Sequence, residues 1–464
     1  MTLAKSLSLL ALVALTVGPA RAADSAAPAQ PAAVAAPGTT GGVPTPKLPP
    51  GVDLSKPLTL ADCGQVALAL NPTLSISGQQ VTQAKDLSIQ ARAALLPNLS
   101  AGADVIAQQV LFSESLSGGG ITRVGRSTDR DLALQLNETF FQSGVPQTIA
   151  AARATWLAAR WGFNDARRTL LLQVAQNYYN VLAAIALSQV DQQAVKDDTA
   201  HLDEADARIE AGTAAKSDRY PFDVQLQQAL VAAIGAVNQV TLSTNALKQV
   251  LGLPASSPLQ VAESLGRPPA PAKVDDLLAA AMTQRPDILQ GKAQVDAARQ
   301  TAAAAEIQRG PVVTAGGSDN YGLHTDVTGN AWQVEASVSV PIFDAGVTRS
   351  GAESAEAAWN IARENLRLTK LTATQDVENN FATEVAANQQ IDLAQAATNA
   401  AQLNLQAATE KYKGGIGTTI DVTDAELTLE QSKTSEVQAQ YNYNTALAAL
   451  RASVGEAAVE GLAP

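Results

Sequence analysis

The sequence predicts a mainly α-helical protein with a membrane β-section, built from two copies of one unit in which a strand hairpin rides on long coiled-coil helices. Three observations predict it. Landmarks recur at a period of about 200 residues. The helical stretches keep heptad spacing over lengths that no globular core accommodates. Segments of about ten residues, apolar on alternate positions, follow Pro97 and Pro311, the length of a tilted membrane-spanning strand.

The duplication is read from landmarks. Asn71-Pro72-Thr73-Leu74 returns as Arg285-Pro286-Asp287-Ile288, and Pro97 as Pro311, both offset by 214 (71 to 285, 97 to 311). Phe141 to Val145 returns as Phe343 to Val347, offset by 202 (141 to 343). Ala211-Gly212 with Asp218 returns as Gly414-Gly415 with Asp421, and Leu251-Gly252 as Val454-Gly455, both offset by 203 (218 to 421, 252 to 455). Such a period is too long for a solenoid and indicates a duplicated helix–hairpin–helix–helix unit. The offset changes between Pro97 and Phe141, where the first copy is expected to carry a longer loop.

In chain order, residues 1–22 read as a secretory signal: Lys5, an apolar run from Leu7 to Val17, then Ala20-Arg21-Ala22 as a cleavage site. Ala23 rather than a cysteine follows, which argues against a lipid anchor there. Residues 23–57, rich in Pro and Ala, read as a disordered linker because they hold too little apolar surface to offset ordering entropy. The first repeat spans 58–255, opening at Thr59 as a helix N-cap and containing a hairpin at about 98–141. A linker covers 256–272, the second repeat 273–455 with a hairpin at about 312–343, and a tail 456–464. Each repeat is expected to hold a helix of about 35 residues, the hairpin, a very long helix, a glycine turn and a final helix of about 35 residues. The first long helix, from about Pro146 to Glu210, would reach roughly 98 Å.

Ile391, Ala394, Thr398, Ala401, Leu405, Ala408 and Tyr412 alternate steps of three and four, and Val422, Ala425 and Leu429 continue the rule beyond the turn. That period keeps two helices in contact along one seam, and the small seam residues imply close approach. In the strands, Val334, Ala336, Val338, Val340 and Ile342 alternate with polar residues, as do Leu132, Leu134, Leu136 and Phe140, although Glu138 interrupts the second set. Trp332, Tyr321, Phe112 and Phe343 lie near strand ends, where aromatic girdles form. A small soluble sheet capping a coiled coil gives the same alternation. Four strands cannot close a cylinder, and lipid tolerates no open edge, so spanning strands require several chains to share one barrel. Counting alone leaves two, three or four chains open.

The remaining numbers exclude classes. Net charge is −12 with no basic cluster, which disfavours nucleic acid. Cys63 is the single cysteine and reads as a small buried apolar residue. No later segment approaches 18 consecutive apolar residues. His201 and His324 are isolated, and no zinc-protease, P-loop or nucleophile-elbow motif occurs, so neither catalytic residue, metal nor cofactor is expected.

Leu58-Thr59-Leu60-Ala61-Asp62, Ala67 to Pro72, Arg285-Pro286-Asp287, Val340 to Gly346, and Tyr412-Lys413-Gly414-Gly415 running into Thr419 to Ala425 together resemble the TolC-type outer-membrane efflux channels, over nearly all of residues 58–455. The resemblance implies a homotrimer whose 12-stranded β-barrel crosses the outer membrane and continues into an α-helical periplasmic tunnel. It implies a passive exit duct served by a periplasmic adaptor and an inner-membrane transporter. A protein-secretion outlet of the same architecture, and a periplasmic coiled-coil tether that never enters lipid, are the competing readings.

The resemblance also marks residues. Asp421 and Asp424 match aspartates that form acidic rings at the narrow periplasmic end; three-residue spacing sets both on one helix face, and a crowded throat raises carboxylate pKa values. Their plainer reading is helix capping in a first turn. Tyr412 matches a gating tyrosine and also fills a seam position, whereas the basic partner found in relatives falls on Gly417 here. Gly212-Thr213 and Gly415-Ile416 match the tips where an adaptor docks, and glycine at such points also ends helices.

Overall fold

The structure is a computed structural model that describes residues 49, 52–116, 119–262, 265–269, 273–323 and 328–459, with the side chains of 108–129 and 323–328 outside the description. The expected signal, most of the 23–57 linker, His324 and the Phe112 side chain therefore lie outside it. The elements run α1 (Leu60–Leu70), α2 (Pro72–Ala93), β1 (Asn98–Leu116), β2 (Gly119–Gln142), α3 (Val145–Glu210), a 3-10 turn (Lys216–Asp218), α4 (Arg219–Leu251), α5 (Val274–Gln284), α6 (Pro286–Glu306), β3 (Val312–Leu323), β4 (Thr328–Ser339), α7 (Val347–Lys413) and α8 (Thr419–Val454).

Each long helix has the anticipated length, 66 residues for α3 and 67 for α7. At the sheet end of α3, α2 and α6 pack alongside it; towards its far end the neighbours are α4 and α8. Two shorter helices thus cover one long one. The leading helix of each repeat is broken, contrary to the expected continuous run, at Asn71-Pro72 and at Arg285-Pro286. Proline disfavours the helical conformation of the residue before it, and Asn71 and Arg285 are extended.

Both breaks are fastened to the C-terminal end of the last helix of their repeat. Asn71 Nδ2 donates to the Val250 carbonyl at 2.8 Å, and Arg285 Nη1 to the Ser453 carbonyl at 3.2 Å. Arg285 is buried and also bonds Asp287 and Asp376, which hold its guanidinium pKa up against the burial that lowers it. Gly252 and Gly455 close those helices in the left-handed region, at φ 74° and 97°. A Cβ on Gly252 would stand 2.5 Å from the Leu70 carbonyl oxygen, and one on Gly455 3.0 Å from Arg285 Cα. The main core gathers here around Cys63, Val66, Val174, Tyr178, Leu247 and Leu251.

The four strands form one antiparallel sheet in the order β1-β2-β3-β4, with β1 and β4 at its edges. The strands of the second copy are 12 residues each, but β1 has 19 and β2 has 24. The additional residues of the first copy are therefore paired strand rather than the expected loop; β2 meets β3 only from Arg130 onward, so the β1–β2 hairpin projects beyond its partner. A second correction concerns β4, which ends at Ser339, so Val340 and Ile342 lie outside it: Pro341 has no N–H to extend the ladder. A third concerns Phe140. A bulge between Thr139 and Phe141 brings Phe141, not Phe140, opposite Val313.

Register sorts the two faces. Leu99, Leu136, Gly317 and Val334 lie in one row, and Ala101, Leu134, Asp319 and Trp332 in the next, giving a largely apolar face. The opposite face carries Gln135, Asn137, Ser318, Gln333 and Glu335. Leu99, Leu134, Leu136, Trp332 and Val334 are all solvent-exposed in the single chain.

Candidate functional site: the tip of the helical stem

The two glycine turns lie together at the far end of the stem, where α3, α4, α7 and α8 converge on a core of Ala205, Phe222, Ala408, Tyr412, Val422 and Ala425. The turns are built alike. Gly212 N–H donates to the Ile209 carbonyl and Thr213 N–H to that of Arg208; Gly415 N–H donates to Tyr412 and Ile416 N–H to Lys411. Gly212 and Gly415 sit at φ 70° and 73°, so both are Schellman closures requiring a left-handed residue. Ile416 is 83 % exposed, an apolar side chain held out from the turn.

The following helices start differently. Thr418 caps α8: its N–H and hydroxyl donate to Asp421 Oδ2 at 2.8 and 2.7 Å, and Asp421 N–H returns to Thr418 Oγ1. In the first repeat Ala215 stands where Thr418 does, and only its N–H reaches Asp218. Lacking a hydroxyl, that start tightens into a 3-10 turn before α4.

Both Asp421 and Asp424 are exposed on the first turns of α8. Within one chain the cap bonds from Thr418, helped by Lys411, hold the Asp421 carboxyl below the usual carboxylate range, opposite in direction to the crowding expected of a ring. Its Oδ2 serves the cap, so spacing alone does not give the two aspartates equal roles.

Tyr412 is buried, its ring edge-on to Phe222 at 5.9 Å between centroids and its hydroxyl without a hydrogen-bond partner. Burial pushes the phenol pKa up. The basic partner comes from the other repeat: the Arg208 guanidinium lies 4.5 Å from the centre of the Tyr412 ring and donates from Nη1 to the Tyr412 carbonyl at 3.0 Å. Gly417 has no space for a basic side chain, since a Cβ there would stand 2.9 Å from the Tyr412 nitrogen.

Sequence reasoning missed Arg208 and a neighbouring buried pair, Asp198 and Glu426; His201, expected to be isolated, stands 3.4 Å from Glu426 and stacks on Phe222. One signal was available. At the offset of 203, Asp198 aligns with the seam residue Ala401, so a carboxylate occupies a position where the other copy packs a methyl group.

A chain with an amphipathic, open-edged sheet at one end and a four-helix acidic tip at the other has the build of a membrane-associated β-sheet protein with a long helical extension. The sequence profile described as "Outer membrane efflux protein" matches residues 64–253 and 277–456, one block in each repeat. The chain belongs to that outer membrane efflux protein family, and it is an outer-membrane protein of efflux. It is 26 % identical over 408 residues to the outer membrane protein TolC of Escherichia coli K12, covering 84 % of this chain and 80 % of that one. It is 26 % identical over 411 residues to the pyoverdine export outer membrane protein OpmQ of Pseudomonas aeruginosa, covering 84 % and 82 %. The fold matches the Campylobacter jejuni CmeC outer membrane channel with a TM-score of 0.75 at 17 % identity, over 85 % of both chains.

Proposed function

We propose that three copies of this chain close a 12-stranded barrel in the outer membrane and form with their helices a periplasmic tunnel, the passive exit duct of a tripartite efflux system. The observation that carries this reading is the four-stranded sheet with one exposed apolar face and with β1 and β4 at its edges. Each edge strand turns a row of N–H and C=O groups away from the sheet, and in lipid only another strand satisfies them. The neighbouring copy's β1 or β4 is that strand.

A second observation supports oligomer formation. α3 and α4 each hold an 18-residue window long and apolar enough to cross a membrane by length and composition; the α3 window is 50 % buried within the chain, that of α4 only 11 %. Val224, Val231, Ile234 and Val237 of α4 are exposed. A neighbouring protomer covers them in the proposed tunnel wall, which spares the molecule a large unpartnered apolar surface.

At the tip, Asp421 and Asp424 from three chains give six carboxylates around one throat, a concentration of negative potential that favours cations. Tyr412 and Arg208 tie the α7–α8 turn to α3 and act as the gate's hinge. Gly212, Thr213, Gly415 and Ile416 present the surface for a periplasmic adaptor, with exposed Ile416 as its apolar anchor, and an inner-membrane transporter supplies energy and cargo.

The test is to extract the protein from membranes, count its subunits and record it in planar bilayers. A trimer conducting poorly with cation preference is expected, and alanine at both Asp421 and Asp424 weakens that preference. A water-soluble monomer with no affinity for detergent or vesicles returns the protein to the tether reading.

A further inference from the structure

We infer that Asp198 and Glu426 form a proton-sharing latch between α3 and α8, so that the periplasmic aperture is held shut in acid and released as the proton leaves.

The geometry is unusual for carboxyl groups. Asp198 is 1 % exposed and Glu426 4 %, on separate helices and within hydrogen-bonding reach of each other. Both oxygens of Asp198 and Oε2 of Glu426 are buried without a hydrogen-bond partner, although His201 Nε2 stands 3.4 Å from Glu426 Oε2. Two ionised carboxylates in that position would be desolvated and mutually repelling. One shared proton removes the repulsion and supplies the missing donor.

Each helix around the pair presents groups to it or to its neighbours. Asp197 of α3 and Glu430 of α8 add negative charge at the pair itself; Asp191 and Lys433 act in opposite senses on Glu430, and Glu204 acts on His201. α7 contributes Lys413, and α4 the Phe222 ring, stacked on His201 at 5.8 Å between centroids. Burial raises the Glu426 pKa to about 8 and that of Asp198 to about 6, with Asp198 the next contributor at Glu426. Burial lowers the pKa of His201, against Glu204 and Asp197, and so favours its neutral imidazole.

The sign follows. Groups whose packed-state pKa is raised bind more protons packed than apart, so the two carboxyls favour packing of α8 on α3 most below about pH 4 and lose that contribution upward to about pH 8. His201, its packed-state pKa lowered, acts in the opposite sense below its ordinary 6.5, so the net loss of packing falls between there and about pH 8. The latch sits two turns above the start of α8, on the helix that carries Asp421 and Asp424. A run of ring contacts, His201 stacked on Phe222 and Phe222 edge-on to Tyr412, joins it to the turn that Arg208 fastens. Separation of α8 from α3 therefore moves the acidic residues of the throat.

This inference rests on the channel reading of the tip, and two readouts separate their failures. In the full-length protein in detergent, amide exchange along 422–433, corrected for intrinsic chemistry, is expected to accelerate about tenfold between about pH 6 and about pH 9. In planar bilayers conductance rises over the same range. Glu426→Gln keeps the shape and supplies a permanent donor, so it holds both readouts near their acid values across the range; Asp198→Asn does the same from the other side. Exchange in the wild type that is flat with pH, or an unchanged pH response in either variant, overturns the latch. Absence of conductance from every protein overturns the duct, while exchange still decides the latch.

Discussion

Gly417 shows how one hydrogen atom in place of a side chain shapes the tip. Its α-carbon faces the Lys411–Tyr412 peptide so closely that a Cβ would press on backbone atoms, which cannot swing aside. Gly417→Ala is expected to cost about 1–3 kcal/mol through that clash and to speed tryptic cutting after Lys411 and Lys413. Arg208 gives a second expectation. Arg208→Gln removes a charge-assisted bond and a cation–π contact, about 2–4 kcal/mol together, read as faster amide exchange at the α7–α8 turn. Arg208→Lys recovers the charge but not the planar contact. The Tyr412 hydroxyl is buried and makes no hydrogen bond, so Tyr412→Phe stays within about 1 kcal/mol of wild type while Tyr412→Ala costs about 3–5. For Asp421 the folded pKa is depressed, so its cap contribution is fully present above the usual value of 3.8 and is lost as pH falls from there through the lower folded value. A carboxyl titration of Thr418→Ala by NMR should return Asp421 towards that ordinary value.

At the scale of the elements, each repeat is closed by one joint: a Pro-broken helix whose last free residue grips the end of the repeat's final helix. Asn71 does this with an amide and Arg285 with a guanidinium, and both final helices end on a left-handed glycine pressed against the break. Gly455→Ala meets both a positive φ and backbone contacts, and a loss of about 1–3 kcal/mol is expected. Gly252→Ala meets a tighter approach and should lower the thermal midpoint at least as far, measured by circular dichroism at 222 nm. The joints sit midway along the long helices, where Val174 and Tyr178 of α3 enter the core with Leu247 and Leu251.

For the whole molecule, the question is what the exposed sheet face meets. Leu134→Arg places a charge on the apolar face, and at mid-bilayer depth that costs about 2–4 kcal/mol, so the variant should assemble poorly in the outer membrane. Gln135→Arg, the next residue but on the polar face, should assemble normally. Equal behaviour of the two in membrane fractions would contradict a lipid-facing sheet.

The duplication, the lengths of the long helices and the alternating strands were legible because each leaves a periodic or repeated trace in local sequence. Gly212 and Gly415 were legible for the same reason: a helix that must stop needs a left-handed residue, whatever surrounds it. The helix breaks were overlooked although Pro72 and Pro286 announced them, and the β1–β2 extension read as loop because Gly- and Ser-rich strands lack a strong alternation. Asp421 was visible both as a ring candidate and as a cap. Which bond its Oδ2 makes depended on Thr418 standing three residues earlier with its hydroxyl turned inward. Arg208 against Tyr412, and Asp198 against Glu426, were decided only in three dimensions. They join residues some 200 positions apart, and no local pattern says which helix face will be buried against which. The chain alone thus determined the elements and their order, since these follow from backbone preference and hydrophobic period. The tertiary structure decided the charges at the tip, since burial and partners, not residue type, set what a carboxyl or a guanidinium does.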